Sequence, residues 1–225
     1  MKAQHISVVI PVLNERERVG LAIRSVAGAG EVVVTDGGSR DGSPGIARDL
    51  GCQVVSGPPG RGQQLRRGAE PTSGQVLVFL HADCRLEGDW TDQILAALAA
   101  GSSWGCFRQQ IDARGRRFRW LEQGNAWRAR RRGLVYGDQC LWLQRSLYQQ
   151  CGGFAEVPLM EDVMICDRLR RLAGPPAILA GPVCMSARSW QRRGVVRQTI
   201  RNWILFGLFR CGVSPDWLAH RYRPT

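Results

Sequence analysis

Apolar residues fall in short β-branched runs through the first part of the chain. "ISVVIPVL" (6–13) predicts a strand, followed by a helix from Glu15 to Ala27. "EVVVTD" (31–36) and "CQVVSG" (52–57) predict two more strands. A helix from Asp41 to Leu50 separates them, with Ser39 or Asp41 placed to cap it. "GRGQQLRRGA" (60–69) reads as loop and helix, and "QVLVFLHAD" (75–83) as a fourth strand. Apolar strands alternating with helices predict an α/β fold with a mostly parallel sheet covered on both faces. Ligands of such sheets bind outside the carboxyl ends of the strands.

From about Trp104 the pattern changes. "SWGCFRQQI" (103–111) and "DQCLWLQRS" (138–146) are strand-like, and "RRFRWLEQGNAWRARRRG" (116–133) is a basic helix. In that helix Phe118, Trp120 and Trp127 are expected to pack inward behind a solvated arginine face. "GGFAEVPLMEDVMICDRLRRLAG" (152–174) is a loop leading into an amphipathic helix. The tail from 194 to 225 predicts a helical extension with an apolar run, Trp203 to Phe209, between Arg201 and Arg210. That run is too short to span a bilayer, which needs about 20 residues. It is expected to dock on protein, with a peripheral membrane contact as the second option.

Chemistry gathers at the predicted strand ends. Asp36 precedes "GGSRDGS", a turn whose glycines let a ligand approach the backbone. Asp83 closes the fourth strand, and His81 two residues earlier would share its face if the strand continues. A carboxylate there can hold Mg²⁺ or Mn²⁺, with substrate phosphates and water completing the shell. Imidazole is the less natural ligand for such an ion. "MEDV" (160–163) sets Glu161 and Asp162 at a helix start, where the helix dipole alone would favour acids.

Charge and cysteine content narrow the setting. Net charge is +12, which favours anionic partners such as nucleotides, phospholipid or anionic sugars. Eight cysteines show no CxxC pair and no zinc spacing, as expected of reduced core thiols in a cytoplasmic protein. The N-terminus does not read as a signal peptide.

In their order, "SVVIPVLNE", "DGGSRDGS", "GRGQQLRRGA", "LHAD", "GDQCLW", "GGF" and "MEDV" resemble family 2 glycosyltransferases of the GT-A fold, over residues 6–193. The "DGGS" and "HAD" forms are similar to small bacterial transferases associated with radical-SAM/selenodomain proteins. The resemblance implies a Rossmann-like GT-A domain over 1–193, with a nucleotide-binding half (1–92) and an acceptor and catalytic half (103–193). It implies inverting transfer from a nucleotide-diphospho-sugar, commonly a UDP-sugar, to an unidentified acceptor that is lipid-linked or anionic. Pro11, Leu13 and Glu15 would line the nucleoside pocket, and Asp36 with Gly37 would meet the base. Arg61, Arg66 and Ala82 would help hold the nucleotide. Asp83, with His81, would bind the Mn²⁺ or Mg²⁺. Asp162 would be the catalytic base, with Glu161 beside it. The chain departs from the family pattern at His81, Gly37 and Arg66, which stand where Asp, Asp and Asn are common.

A nucleotidyltransferase would need a Gly-rich loop with Lys near the first strand, and "PVLNERERVG" has neither before Gly20. A non-catalytic basic module binding nucleotide, nucleic acid or membrane on the same fold is the competing expectation. Nucleic acid is the weaker of its partners.

Overall fold

The computed structural model describes residues 5–187 and 194–221. The sequence also offers Arg188, Arg192 and Arg193, ahead of the C-terminal tail, to a diphosphate; they lie outside the described residues.

One eight-stranded sheet runs in the order β3-β2-β1-β4-β7-β6-β8-β5. Its strands are β1 (Ile6–Val12), β2 (Glu31–Asp36), β3 (Gln53–Ser56), β4 (Val76–Phe79), β5 (Cys84–Leu86), β6 (Trp104–Asp112), β7 (Leu141–Gln144) and β8 (Ala177–Ser186). β1 pairs in parallel with β2 and β4, and β2 with β3. β7 is antiparallel to β4 and β6, while β6 and β8 run parallel. The helices are α1 (Arg16–Ser25), α2 (Ser43–Asp49), α3 (Arg61–Ala69), α4 (Trp90–Ala99), α5 (Arg116–Arg132), α6 (Arg145–Gln150), α7 (Glu161–Ala173), α8 (Val195–Arg210) and α9 (Pro215–Arg221).

Alternation along the strands sorts side chains into two cores. Val8, Ile10, Val78, Leu80 and Trp142 join Val19 and Ile23 of α1, Ala47 of α2 and Ile94 of α4. Val9, Leu77, Phe79 and Leu143 face the other way, onto Leu65 of α3, Leu147 of α6, Val163 and Leu169 of α7 and Leu205 of α8. The expected mostly parallel, two-sided sheet is therefore the one observed, with antiparallel pairings at β7 and β5, and six of the cysteines are buried as free thiols. Cys52 is half-buried and Cys211 is exposed.

Several expectations change. β4 stops at Phe79, so residues 80–83 form a turn, closed by the Cys84 amide donating to the His81 carbonyl at 3.0 Å. The strand expected over 138–146 is three elements: a tight turn at Gly137–Gln139, then β7, then α6. In α5 only Phe118 and Ala129 are buried, and Trp120 (69% exposed) and Trp127 (57%) face solvent rather than the core. Asp41 serves the start of α2, its carboxylate accepting from the Ser43 amide at 3.0 Å, while Ser39 accepts from the Asn14 amide instead.

Helix α3 lies close on the parallel strands because residue 68 has no side chain. A Cβ at Gly68 would sit 2.4 Å from Val9 Cγ1 and 2.7 Å from Thr35 Cγ2. Gly68→Ala is expected to lower stability by about 1–3 kcal/mol through overpacking, read as a lower urea midpoint with an unchanged slope.

Candidate active site

The strand order sets the ends of β2, β1 and β4 side by side, about 5 Å apart per strand. The loops leaving β1 and β2 are laced together. Asn14, at φ 55°, accepts from the Arg40 amide at 2.9 Å, and the Glu15 amide donates to Ser43 Oγ at 3.0 Å. Pro11 is half-buried at the end of β1, and Leu13 is exposed just beyond it. The Glu15 carboxylate pairs with Arg18 at 3.1 Å. Asp36 is buried, and its carboxylate accepts the amides of Gly38 at 3.0 Å and Ser39 at 3.1 Å, so it holds its own turn in shape.

Gln64 is the clamp beneath this edge, and the sequence reading passed over it. Its Nε2 donates to the carbonyls of Val12 at 2.9 Å and Thr35 at 2.8 Å, and its Oε1 accepts from the Gly60 amide at 3.3 Å. A Cβ at Gly37 would come 3.0 Å from that Oε1, so Gly37 is also needed for the clamp to fit. The signal in the sequence is a glutamine in the middle of "GRGQQLRRGA", on a helix otherwise marked by arginines.

The two titratable residues of the turn after β4 line different spaces. Asp83 lines a cavity of about 220 Å³ with Arg18, Arg85, Asp112 and Ser186, next to α1. His81 stays on the α3 side, against Gly137, Tyr136, Glu161 and Asp162, around a void of only about 10 Å³. Strand alternation does not govern the pair, because β4 ends at Phe79, before either residue. A Cβ at Gly137 would lie 2.3 Å from His81 Nε2, a nitrogen that is buried without a hydrogen-bond partner among the described residues. Burial, with Arg61 nearby, holds His81 neutral, its pKa down at about 3.

Glu161 and Asp162 open α7 side by side, Glu161 buried and Asp162 half-buried. Arg61, at the start of α3, approaches Glu161 Oε1 at 3.7 Å. Asp162 Oδ1 accepts the Val163 amide at 2.8 Å and Oδ2 the Gly137 amide at 3.4 Å. Burial raises both carboxyls, Glu161 to about 7 with Asp162 adding to the push, and the half-exposed Arg61 does not offset it. Arg66 points elsewhere: it reaches the carbonyls of Gly152 and Phe154 at 3.4 Å and Glu156 at 3.4 Å, bracing the 152–156 loop.

Asp138 belongs to this group as well. It stands on the 137–139 turn, and burial raises its carboxyl, with Asp162 and Asp83 both near enough to add to the rise. Arg128 of α5 holds the turn, donating to Gln139 Oε1 at 2.8 Å, to Asn125 at 2.9 Å and to the Leu134 carbonyl at 3.2 Å while stacking on Tyr136 at 3.7 Å. An acid and an amide directly before the apolar run of β7 were the legible signal for this turn.

Residues 7–154 match the family model described as glycosyl transferase family 2. The chain belongs to this family. Glycosyltransferase AglE of Haloferax volcanii is 30% identical over 107 residues, 42% of this chain and 35% of that protein. Glucosyl-3-phosphoglycerate synthase of Mycolicibacterium smegmatis is 30% identical over 92 residues, 35% of this chain and 30% of the other. The aligned part thus spans about a third of the length of these curated relatives. Among solved structures, the glucosyl-3-phosphoglycerate synthase of Mycobacterium tuberculosis, in complex with Mn²⁺, UDP and glucosyl-3-phosphoglycerate, is 26% identical. It superposes with a TM-score of 0.60 over 93% of this chain and 80% of that one. S. aureus TarS (residues 1–349) shares the fold at a TM-score of 0.65 and 16% identity, over 83% of this chain and 61% of that one. The family 2 chain has the GT-A arrangement, a mostly parallel sheet with helices on both faces.

Because Glu161 is raised in the folded protein from 4.5 to about 7, the native state binds that proton more tightly than the unfolded chain. Its stabilising effect is complete below pH 4.5 and is lost as pH rises towards 7. Glu161→Gln is expected to flatten the melting-temperature profile across that window and to raise the melting point at pH 8 by roughly 2–4 °C per kcal/mol recovered. Scanning fluorimetry of both proteins from acid to mild alkali checks this.

Proposed function

We propose that this chain is an inverting glycosyltransferase that moves a sugar from a UDP-sugar to an acceptor hydroxyl. The observation that supports the reading is a pair of acids gathered around the 137–139 turn: Asp162, half-buried with a raised carboxyl, and Asp83, lining a separate cavity, both near enough to Asp138 to raise it. Asp162 takes the proton of the acceptor hydroxyl as its oxygen bonds to the anomeric carbon. The bond from that carbon to the diphosphate oxygen breaks on the opposite side, and a single displacement inverts the centre. The Val163 and Gly137 amides aim the Asp162 carboxylate, and Glu161 holds Arg61 beside it.

Asp83 suits a hard divalent cation, since Mg²⁺ or Mn²⁺ is commonly held by one or two carboxylates with phosphate and water. His81 suits it less: the void beside it is at the limit for one water, leaving no space for a hydrated ion. The cation would neutralise charge on the departing diphosphate. The synthase whose complex contains UDP and Mn²⁺, 26% identical, supports both the nucleotide and the ion. Pro11, Leu13, Glu15, Asp36 and Gly37 frame the nucleoside side, at the edge clamped by Gln64. We assign the chain to the bacterial subgroup associated with radical-SAM/selenodomain proteins on its "DGGS" and "HAD" motifs, and to the cytoplasm on its free thiols. An anionic or lipid-linked acceptor suits the net charge of +12.

Asp162→Asn is expected to cut turnover of the cognate UDP-sugar by about 10²–10⁴-fold, the usual contribution of a general base, while leaving UDP binding by calorimetry unchanged. Asp83→Ala is expected to abolish the extra thermal stabilisation by UDP that Mn²⁺ confers. A non-catalytic basic module predicts that neither substitution has these effects and that binding fades steeply with salt.

A further inference from the structure

The C-terminal helices carry an apolar face that the catalytic reading does not use. In α8, Val196 (71% exposed), Ile200 (49%), Trp203 (69%) and Ile204 (56%) face solvent. Their spacing of four, three and one residues puts them on one side of the helix. Gln198 and Leu205 lie buried on the other side. Trp217 of α9 is also exposed, with the Arg221 guanidinium 4.7 Å above its ring. Arg201 joins the two helices by donating to the Arg221 carbonyl at 3.4 Å. A run of large exposed apolar side chains of this kind marks an interaction surface.

We propose that this face docks on an anionic phospholipid surface. The charge pattern selects the occupant. α8 contains Arg197, Arg201 and Arg210 and no acidic residue. A second copy laid on the same face would add three more α8 arginines and no α8 acid to meet them, since a two-fold contact uses the same surface twice. An anionic bilayer accepts both components: headgroups meet Arg197 and Arg201, Arg210 being held by Asp167, and tryptophan and aliphatic side chains enter the interface. The helix does not cross the bilayer, because no described helix is long and apolar enough to do so.

The face is also rigidly joined to the site. Arg210 grips Asp167 of α7 with two bonds, at 2.6 and 2.9 Å. Leu205 and Leu218 sit in the same core as Ile165 and Leu169 of α7. The helix that opens with Glu161 and Asp162 is thereby held at a fixed position relative to the membrane plane. The docking itself is independent of the transferase reading and stands or falls separately.

The test is flotation of the full chain with two vesicle types, phosphatidylcholine alone and equimolar phosphatidylcholine–phosphatidylglycerol. The expected result is binding to the anionic vesicles at least about tenfold tighter than to the neutral ones, weakening as salt rises. Trp203→Glu with Ile204→Glu, both on the solvent face, should lose that binding with an unchanged melting temperature. Arg197→Gln with Arg201→Gln should lose the preference for anionic lipid. Failure of the parent to bind, equal binding to both vesicle types, or full binding by the Trp203→Glu/Ile204→Glu protein would overturn the proposal. So would light scattering that finds a dimer dissociated by that double substitution together with no vesicle binding.

Discussion

Of two carboxylates next to each other in sequence at the start of one helix, Glu161 is buried and Asp162 half-buried, and both are raised. Burying one such group is costly and burying a pair more so, because each disfavours the charge of the other. Much of the surrounding structure can be read as the means of holding them there. The α7 dipole favours acids at that end. Arg61 is delivered by the start of α3, and α3 can come that close because Gly62 has no side chain: a Cβ there would lie 2.2 Å from the Ala155 carbonyl oxygen. The Gly137 turn closes over His81 from the far side, pinned by Arg128. A carboxyl held in this way keeps a higher proton affinity than one in solvent, the property a general base near neutral pH requires.

The turn after β4 borders two spaces. Asp83 lines one, a cavity of about 220 Å³ beside α1, and His81 lines the other with Glu161 and Asp162. β4 ends at Phe79, so both residues belong to the turn and not to the pleat. In the proposed reaction, base and leaving group must stand on opposite sides of the sugar, which calls for acids from two different loops.

The strand–helix alternation up to residue 83 was legible because parallel strands are buried on both faces and read as unbroken Val, Ile and Leu runs. Asp36 and the MEDV pair were legible through the company they keep, the "DGGSRDGS" turn and the "GGF" loop in the order of the family motifs, since acids at a helix start are common on their own. What was hidden had weaker local marks. β8 carries glycine and proline in its middle and owes its place to β6 and β5 on either side. Gln64 looks like any polar helix residue until Val12 and Thr35 present their carbonyls to it. The outward tryptophans of α5 and α8 contradict the rule that large apolar residues go inside, which is why sequence periodicity placed those of α5 in the core.

The central claim is spatial: the ion and the diphosphate belong to Asp83, and the acceptor side belongs to Asp162. Diffraction from crystals grown with UDP and Mn²⁺, recorded at the manganese edge, tests it directly. The account predicts one anomalous peak within about 2.0–2.2 Å of an Asp83 carboxylate oxygen, with the diphosphate bridging to it and Asp162 facing the empty sugar position. A peak on the Glu161–Asp162 pair or on His81, with Asp83 unligated, would contradict it.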